Sequence, residues 1–526
     1  MNAISTRAAP GAAGYNLWAE PWIGVVRPDG RVEQLGIGAC LEQAHLLAGL
    51  YDPSPLVVAG IHRLLAAILQ FMYAPAGLDD VRTCLKRGCF IRSSLTNFQD
   101  EYGDRFDLFS VEQPFLQTND VPPVWRKGDI EAKSVGYLFP EEPTATNVVH
   151  FRHRYDDGHQ FCPACAAAGL VTIPAFATSG GAGIKPSING VPPLYVLPSG
   201  PTLFRSLALS LLAPAYLPSD EWGDDDDMPW WLSDNRVPRA GRVQSVGYVQ
   251  GLTFPARRVR LYPSDRVGTC SRCGRSGSSF VRTMLFEMGL ERPKDAPFWR
   301  DPFAAYTQKQ PKPPVPVRPR EGRDTWREFG SLFLANTFSR GSKETQYLRP
   351  QVVGEIQELL AEGDIPVEQQ LTFRCIGLRT DMKAKVFEWV DSALEMAPGL
   401  LADDVAADSV RRGLQHAEDW LRDLVGIARR VYGDMPSRWE PLRRRLEAAY
   451  WRELAAPFRD FVTRRPEDGA VQDALTIWTR QVLDLGEHLF NVSLDEMGDR
   501  GEDLRLAAQA RLRCRLAAAK RKEWFR

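Results

Sequence analysis

The last quarter of the chain alternates hydrophobic and polar residues with the period of an α-helix. Apolar residues recur at spacings of three and four in four successive segments. These residues are Leu414, Ala417, Leu421, Leu424, Ala428 and Val431; Trp439, Leu442, Leu446, Tyr450, Leu454 and Phe458; Val471, Leu475, Trp478, Val482, Leu485 and Leu489; and Leu504, Ala508, Leu512, Leu516 and Ala519. Because helices with one apolar stripe bury those stripes against each other, the pattern predicts a four-helix bundle over residues 401–526.

Near the start of the chain, Leu17 to Leu35 alternates apolar and polar positions around Asp29-Gly30, which predicts a two-residue β-hairpin. Ser54-Pro55 then supplies a helix N-cap and a proline at the first helical position. The helix that follows, Leu56 to Tyr73, is apolar on most faces. Polar residues interrupt its apolar run, so we expect a buried core helix and not a membrane span.

The middle of the chain has a mixed pattern. From about Phe106 to Leu261, β-like runs such as Arg242 to Phe254 alternate with loops that contain proline or glycine. Lys309 to Arg323 contains five prolines and five basic residues, and we interpret it as an extended basic loop. The sequence thus predicts an α+β fold in which a large mixed N-terminal domain, residues 1–400, precedes the helical C-terminal domain.

The amino-acid composition limits the functional classes to which the chain can belong. The chain has 526 residues and a formal net charge of −1, with 44% hydrophobic and 25% charged residues, as is usual for a soluble protein of several domains. A nearly neutral chain does not coat nucleic acid with its whole surface, so any such contact is a local basic patch. The first residues lack the apolar core of a signal peptide, and we expect a cytoplasmic protein without membrane association.

Two cysteine pairs have the spacing of a metal site. Cys162 and Cys165 form one Cys-x-x-Cys knuckle, and Cys270 and Cys273 form a second, followed by Gly274. Two such knuckles supply the four thiolates of a closed, tetrahedral Zn²⁺ site, which has a structural and not a catalytic role. The pattern predicts a zinc-knuckle region embedded in the N-terminal domain. The alternative is that the loops fold without metal.

A glycine-rich segment and a basic, aromatic cluster lie near the first knuckle. The segment contains Ser179, Gly180, Gly181, Ala182, Gly183 and Lys185, and the cluster contains His150, Phe151 and Arg152. The glycine spacing fits neither the P-loop nor the dinucleotide-binding motif. Backbone without side chains can nevertheless approach a phosphate or a DNA groove closely, and basic and aromatic groups contact phosphates and bases. The alternatives are a plain turn and a solvated charged surface.

The sequence contains no recognisable catalytic constellation. It has seven histidines and no H-E-x-x-H motif, nucleophile elbow or paired carboxylates with nuclease spacing. We therefore expect a protein that is not an enzyme. The last helical segment, in contrast, is rich in basic residues, more than its helix C-terminus requires.

Several segments in order give a family resemblance. Tyr15-Asn-Leu-Trp-Ala-Glu-Pro-Trp-Ile23, Gln113-Pro-Phe-Leu-Gln117 and Thr144-Ala-Thr-Asn147 precede the first knuckle and the glycine-rich segment. Together with the helical C-terminus, this order resembles the large subunit, the CasA family, of the type I-E CRISPR surveillance complex Cascade. The resemblance implies a subunit that binds the protospacer-adjacent motif (PAM) in double-stranded DNA and starts strand separation and R-loop formation, while guide RNA reads the sequence.

The resemblance also implies roles for particular residues. Ser179, Gly180, Gly181, Ala182, Gly183 and Lys185 correspond to the loop that faces the PAM; Asn147, His150, Phe151 and Arg152 to a loop near the PAM and the 5′ handle of the guide RNA; Lys309 or Lys312 to a lysine that reaches the PAM; Thr380, Asp381 and Met382 to a wedge beneath it; and Arg513 and Lys520 to DNA-backbone contacts. The implied partners are the other Cascade subunits, the guide CRISPR RNA, double-stranded target DNA and the helicase-nuclease.

Two other functions are compatible with the residues alone. One is a zinc-ribbon nucleic-acid enzyme, such as a nuclease whose active site is not recognisable from sequence. The other is a helical scaffold with a purely structural zinc site that binds no DNA. Cleavage by the purified chain would favour the first of these, and co-purification with guide RNA would favour the DNA-recognition subunit.

Overall fold

The computed structural model of the chain describes residues 14–124, 131–141, 158–178, 185–217, 227–233, 236–293, 295–296, 298–309, 311–334, 336–340, 343–365, 370–380, 386–433, 436–464, 470–497, 501–521 and 524. The chain divides into two compact units. The first comprises Met1–Pro319, Ser339–Ile356 and Arg374–Ser392, and the second comprises Arg320–Phe338, Gln357–Phe373 and Ala393–Arg526. The boundary between separable domains at residue 400 stays a prediction.

Helices and strands are both abundant, which confirms the predicted α+β class. The strands are β1 (Ile23–Val26), β2 (Val32–Leu35), β3 (Gly49–Leu50), β4 (Lys133–Ser134), β5 (Tyr195–Ser199), β6 (Arg257–Ser264), β7 (Gly268–Thr269), β8 (Ser276–Gly277), β9 (Phe280–Met288), β10 (Tyr306–Lys309), β11 (Val315–Pro316), β12 (Asn336–Arg340), β13 (Lys343–Leu348), β14 (Leu371–Thr380) and β15 (Val386–Met396). The helices are α1 (Ile37–Glu42), α2 (Pro55–Tyr73), α3 (Leu78–Arg87), α4 (Arg92–Tyr102), α5 (Pro163–Leu170), α6 (Ile173–Phe176), α7 (Leu203–Ala208), α8 (Tyr248–Leu252), α9 (Phe329–Phe333), α10 (Gln351–Ala361), α11 (Gly399–Ala402), α12 (Asp404–Tyr432), α13 (Pro436–Thr463), α14 (Ala470–Asp495) and α15 (Gly501–Lys520). The described strands form small sheets in the orders β2-β1-β3, β11-β10-β13-β12, β15-β14-β5, β4-β9-β6 and β7-β8.

The predicted N-terminal hairpin is present, with a longer turn. β1 pairs antiparallel with β2, in a register that places Val26 opposite Val32. The backbone N–H of Arg27 donates to the carbonyl of Arg31 at 2.9 Å, and Gly30 has φ +84°. This is the arrangement of a three-residue turn that ends in a left-handed glycine, not the predicted two-residue turn.

Helix α2 is buried, as predicted. It is long and apolar enough to cross a membrane by length and composition, and 83% of its apolar window is buried inside the protein. The polar groups on it have internal partners, as burial requires. Gln70 bonds both the carbonyl and the N–H of Leu212 at 2.9 Å, and Arg63 forms an ion pair with Asp301 at 2.8 Å. These contacts make α2 a central element of the first unit.

Two predictions for the middle of the chain are wrong. The supposed β-like run Arg242 to Phe254 contains helix α8, because the Asp227 carboxylate accepts hydrogen bonds from the N–H groups of Val249 and Gln250 at its start. The proline-rich segment Lys309 to Arg323 is not wholly irregular either. Its residues Val315–Pro316 form β11, which pairs with β10 and leaves the prolines at an edge position of the sheet.

The four predicted C-terminal helices are present as α12 to α15, and α14 packs against each of the other three. Trp478 shows how the core is built: its indole N–H donates to the Gly413 carbonyl at 2.8 Å, and its ring stacks on Phe461. The predicted buried stripe is wrong for α15. There Leu504, Leu512 and Leu516 are 56%, 61% and 57% exposed, and a different face is buried, formed by Leu506, Ala507, Ala510 and Cys514.

Candidate metal centre and nucleic-acid interface

The two cysteine knuckles meet in the first unit. Cys162 is the N-cap of α5 and Cys165 lies in its first turn, while Cys270 and Cys273 lie between the short strands β7 and β8. Their four sulfur atoms all lie within 4.8 Å of one another, and three of the residues are buried. The structure therefore brings together the four ligands that the spacing predicts.

Local backbone contacts create this arrangement. In the second knuckle the N–H of Cys270 donates to the Arg275 carbonyl at 2.8 Å, and Gly274 adopts a left-handed φ of +74° that glycine accommodates without strain. The first knuckle is joined to the second by a hydrogen bond from the N–H of Cys162 to the Cys270 sulfur at 3.3 Å. Backbone donors aimed at a sulfur stabilise its thiolate form.

The sulfur atoms influence one another and are flanked by a cation. Hydrogen bonds from the Cys162 and Cys165 thiols hold the pKa of Cys270 well below its usual range, and hydrogen bonds with Cys162 and Cys270 raise the pKa of Cys165. Arg272, inside the second knuckle, forms an ion pair with Asp52 and lies over the ring of Phe139. Four thiolates this close together repel one another, so all four can be ionised only when a cation neutralises them, as at a metal site.

The distances suit a tetrahedral metal ion. Four thiolates at about 2.3 Å from a central Zn²⁺ are separated from each other by about 3.8 Å. The Cys162 and Cys273 sulfurs are 3.7 Å apart. The donor set is all sulfur, which favours Zn²⁺ or an iron–sulfur site over hard cations such as Mg²⁺ or Ca²⁺.

One hairpin connects the cysteine cluster with the base of the glycine-rich segment. β6 pairs antiparallel with β9, and Arg257 at the start of β6 lies opposite Met288 at the end of β9. The knuckle of Cys270 and Cys273 lies in the connection between these strands. Helices α5 and α6 lead from Cys162 to Thr178, the last described residue before the glycine-rich segment. Eight residues of strand, about 27 Å, thus link the two features.

The predicted DNA-contact residues have different outcomes. Ser179, Gly180, Gly181, Ala182, Gly183, Asn147, His150, Phe151, Arg152, Asp381 and Met382 lie outside the described residues. Lys185 is described: its side chain is 63% exposed, and its ammonium forms an ion pair with Glu291. Arg242 lies on the same carboxylate at 3.4 Å, so Glu291 holds two cations together beside the end of the segment.

The remaining described residues lie on or beside β10, β14 and α15. Lys309 ends β10 and Lys312 follows it, the N–H of Lys312 donating to the Lys309 carbonyl at 2.8 Å, and both side chains are exposed. Thr380 is the last residue of β14. In the second unit, Arg513 and Lys520 are exposed on α15.

Sequence reasoning missed Arg257 and Arg242. Arg257 belongs to the run Arg257-Arg-Val-Arg260, in which three arginines interrupt an apolar strand. Buried arginines need hydrogen-bonding or ionic partners, so this run indicated that polar groups from elsewhere in the fold contact the strand. Arg242 is an exposed residue in a loop-like context, and nothing in its neighbourhood along the chain indicated its position beside Lys185.

Comparison with known proteins gives consistent matches over nearly the whole chain. The family model described as CRISPR-associated protein Cse1 (CRISPR_cse1) matches residues 16–489. A curated relative from Thermus thermophilus, described as CRISPR-associated protein CasA/Cse1, is 29% identical over 535 residues, which covers 93% of this chain and 99% of that protein. The crystal structure of Cse1 from Acidimicrobium ferrooxidans aligns with a TM-score of 0.78 at 21% identity, covering 98% of this chain and 100% of that one. A chain of a structure described as a CRISPR RNA-guided surveillance complex aligns with a TM-score of 0.73 at 18% identity, covering 96% and 100%.

Proposed function

This chain belongs to the Cse1 family of CRISPR-associated proteins, and we propose that it is the non-catalytic DNA-recognition subunit of an RNA-guided antiviral complex of the Cascade type. The observation that carries the proposal is the family match over residues 16–489, which includes the cysteine cluster and the glycine-rich segment. A structural relative that is part of a CRISPR RNA-guided surveillance complex supports assembly with other subunits and with guide RNA.

We propose that the segment Ser179 to Gly183 reads the PAM in double-stranded DNA. Glycine-rich backbone presents N–H groups without intervening side chains, so it can approach the floor of a groove closely. Lys185 and Arg242, held beside this segment by Glu291, would contact the adjacent phosphates. His150, Phe151 and Arg152, with Asn147, would contact the DNA near the PAM and the 5′ handle of the guide RNA.

Once the PAM is bound, strand separation would begin beside it. The wedge residues begin with Thr380, the last residue of β14, and continue along the chain with Asp381 and Met382. An apolar side chain such as Met382 can unstack a base step. Lys309 or Lys312 would reach the PAM, and Arg513 and Lys520 would hold the displaced strand by its phosphates. The open R-loop would then recruit the helicase-nuclease that cuts the target.

We propose that the cysteine cluster holds one structural Zn²⁺. Cys162, Cys165, Cys270 and Cys273 would occupy all four tetrahedral positions, which leaves no position for water or substrate. When bound, the ion would neutralise the thiolates and crosslink α5 to the β6–β9 connection. That crosslink would hold one end of the hairpin whose other end supports the glycine-rich segment. We place the protein in the cytoplasm, where such thiols stay reduced.

The experiment co-expresses the chain with the other subunits of its complex and guide RNA, and measures two properties. We expect the chain to co-purify with RNA and the complex to bind PAM-bearing duplexes more tightly than duplexes with a scrambled PAM. Metal-dependent cleavage of DNA by the purified chain, without guide RNA, would instead support the alternative, a zinc-ribbon nuclease. Absence of both RNA association and PAM discrimination would contradict the proposed function.

A further inference from the structure

A single side chain bridges the two ends of the glycine-rich segment. The guanidinium of Arg257 donates from Nη2 to the carbonyl of Thr178, which precedes the segment, and from Nη1 to the carbonyl of Lys185, the last residue of the segment, at 2.7 Å. Because one planar group makes both hydrogen bonds, the two carbonyl oxygens lie within about 8 Å of each other, the sum of two hydrogen bonds and the width of the guanidinium.

The position of Arg257 is unusual for an arginine. The residue is 3% exposed, and its third acceptor is another backbone carbonyl, that of Ala256 at 2.8 Å. Its neighbour Arg258 pairs with Asp120 and Glu287, whereas no ion pair of Arg257 with a carboxylate is found in the part of the chain that the structure describes. Burial lowers the pKa of Arg257 to about 10, so it remains charged at neutral pH. Burying a charge is costly unless hydrogen bonds replace its lost hydration, and here three backbone carbonyls accept them.

Two further contacts close the base of the segment. The N–H of Lys185 donates to the sulfur of Met288 at 3.3 Å, and Met288 lies opposite Arg257 in the β6–β9 hairpin. The N–H of Ser187 donates to the Ala177 carbonyl at 2.9 Å. The described residues on both sides of the segment are therefore attached to one hairpin, and Arg257 is the residue that contacts both sides.

We propose that Arg257 is a positioning residue that fixes the two ends of the glycine-rich segment before DNA binds. A segment whose ends are held pays less conformational entropy when it orders against a ligand, so its recognition of a groove becomes tighter and more selective. Arginine suits this role because its fork can serve two carbonyls at once, and lysine carries the same charge on a single ammonium. The proposal rests on the proposed function of the segment as the PAM reader.

The test replaces Arg257 by lysine in the full chain, assembled with its guide RNA and partner subunits. The matched control is Arg260→Lys. Arg260 is also 3% exposed and lies on the same strand, but its guanidinium donates to the Ser110 carbonyl at 2.9 Å, away from the segment. For each complex we would measure amide hydrogen exchange over residues 178–187, metal and RNA content, and affinity for PAM-bearing and scrambled duplexes.

We expect Arg257→Lys to accelerate exchange in residues 178–187 and to reduce PAM discrimination about tenfold, which corresponds to the loss of one hydrogen bond to a charged group. Metal and RNA content stay at the wild-type level, and Arg260→Lys leaves exchange and discrimination unchanged. Wild-type exchange and discrimination in Arg257→Lys would overturn the inference. So would failure of both Arg257→Lys and Arg257→Gln to fold while Arg260→Lys folds, because Arg257 would then serve the fold as a whole. If the wild-type complex itself does not discriminate, the proposed function fails; the exchange data still decide whether Arg257 holds the ends.

Discussion

The cysteine-bearing segments of the first unit and the helical bundle of the second unit obtain their structures in different ways. In the bundle, apolar residues recur at helical spacing, and each large buried side chain, such as Trp478, fills part of the core. In the cysteine cluster, Cys162 and Cys270 are 108 positions apart, and four sulfurs define the arrangement. The bundle is therefore redundant and readable from local periodicity, whereas the cluster depends on a few residues that are distant along the chain.

The largest expected effect concerns the four cysteines that we propose as metal ligands. Replacing Cys270 by serine should reduce bound Zn²⁺ from one per chain to near zero, because three thiolates hold the ion far less tightly. We expect the free energy of unfolding of the first unit to fall by more than about 5 kcal/mol, since metal binding and folding are coupled. Elemental analysis and denaturant unfolding of untagged protein measure both quantities.

Cys40→Ala is the matched control for that change. Cys40 is a fully buried cysteine of the first unit that lies outside the cluster. Its replacement should leave the metal content unchanged and cost about 1 kcal/mol. Equal metal content in Cys270→Ser and wild type would show that the cluster does not hold the ion.

A core substitution in the bundle should lower the free energy of unfolding by less, and it should destabilise the second unit instead of the first. Trp478 is fully buried, and its indole N–H bonds the Gly413 carbonyl. Trp478→Ala should lower the free energy of unfolding of the second unit by about 3–5 kcal/mol through the cavity and the lost hydrogen bond. Metal content should not change. Loss of metal from this variant would contradict the separation of the two regions.

A histidine in the first unit should make its stability sensitive to acid. Burial, helped by the nearby charge of Arg63, lowers the pKa of His62 from 6.5 to about 3. Between pH 6.5 and pH 3 the unfolded chain binds a proton at His62 that the folded chain does not, so this contribution to stability falls as the pH falls. It amounts to about 2 kcal/mol between pH 7 and pH 5.

Denaturant unfolding of wild type and His62→Gln at these two pH values measures this contribution. Glutamine retains a polar group that can meet the hydroxyl of Ser210, the hydrogen-bond partner of His62. The variant should be less stable at pH 7 and should lose about 2 kcal/mol less than wild type on going to pH 5. An identical decline in both proteins would contradict the assignment.

The smallest expected effect lies on α15. Leu512 is 61% exposed, although it belongs to an apolar stripe at helical spacing. Leu512→Ala should change the free energy of unfolding by less than about 0.5 kcal/mol. The buried Cys514 on the same helix offers the comparison, and Cys514→Ser should cost more. A large cost at Leu512 would mean that the stripe is buried after all, as the sequence predicts.

Elements with strong local patterns were predictable. The N-terminal hairpin, helix α2 and helices α12 to α14 follow from alternation or helical spacing, and most of the predicted core residues on these helices are buried. Helix α15 was predicted, but not its buried face. Periodicity alone favoured the face with Leu504, Leu512 and Leu516, whereas the face that packs against α12 and α14 combines Leu506 with alanines and Cys514, which allow close approach.

The rest depended on contacts between distant residues. Helix α8 is capped by Asp227, about twenty residues earlier, so its own sequence resembled a strand. The meeting of the cysteine pairs was predictable because thiolates at knuckle spacing have few other uses. The bridge from Arg257 to Thr178 and Lys185 was not, because nothing local tells which carbonyls a buried arginine contacts.

The most direct test of the central claim, that the glycine-rich segment reads the PAM, is the affinity of assembled complexes for PAM-bearing and scrambled duplexes. In the proposed function, Gly181→Asp adds bulk and a negative charge next to DNA phosphates, whereas Gly501→Asp makes the same chemical change at an open helix terminus in the second unit. We predict that Gly181→Asp loses discrimination while keeping its guide RNA and metal, and that Gly501→Asp behaves as wild type. A folded Gly181→Asp complex that still selects PAM-bearing DNA as well as wild type would contradict the account.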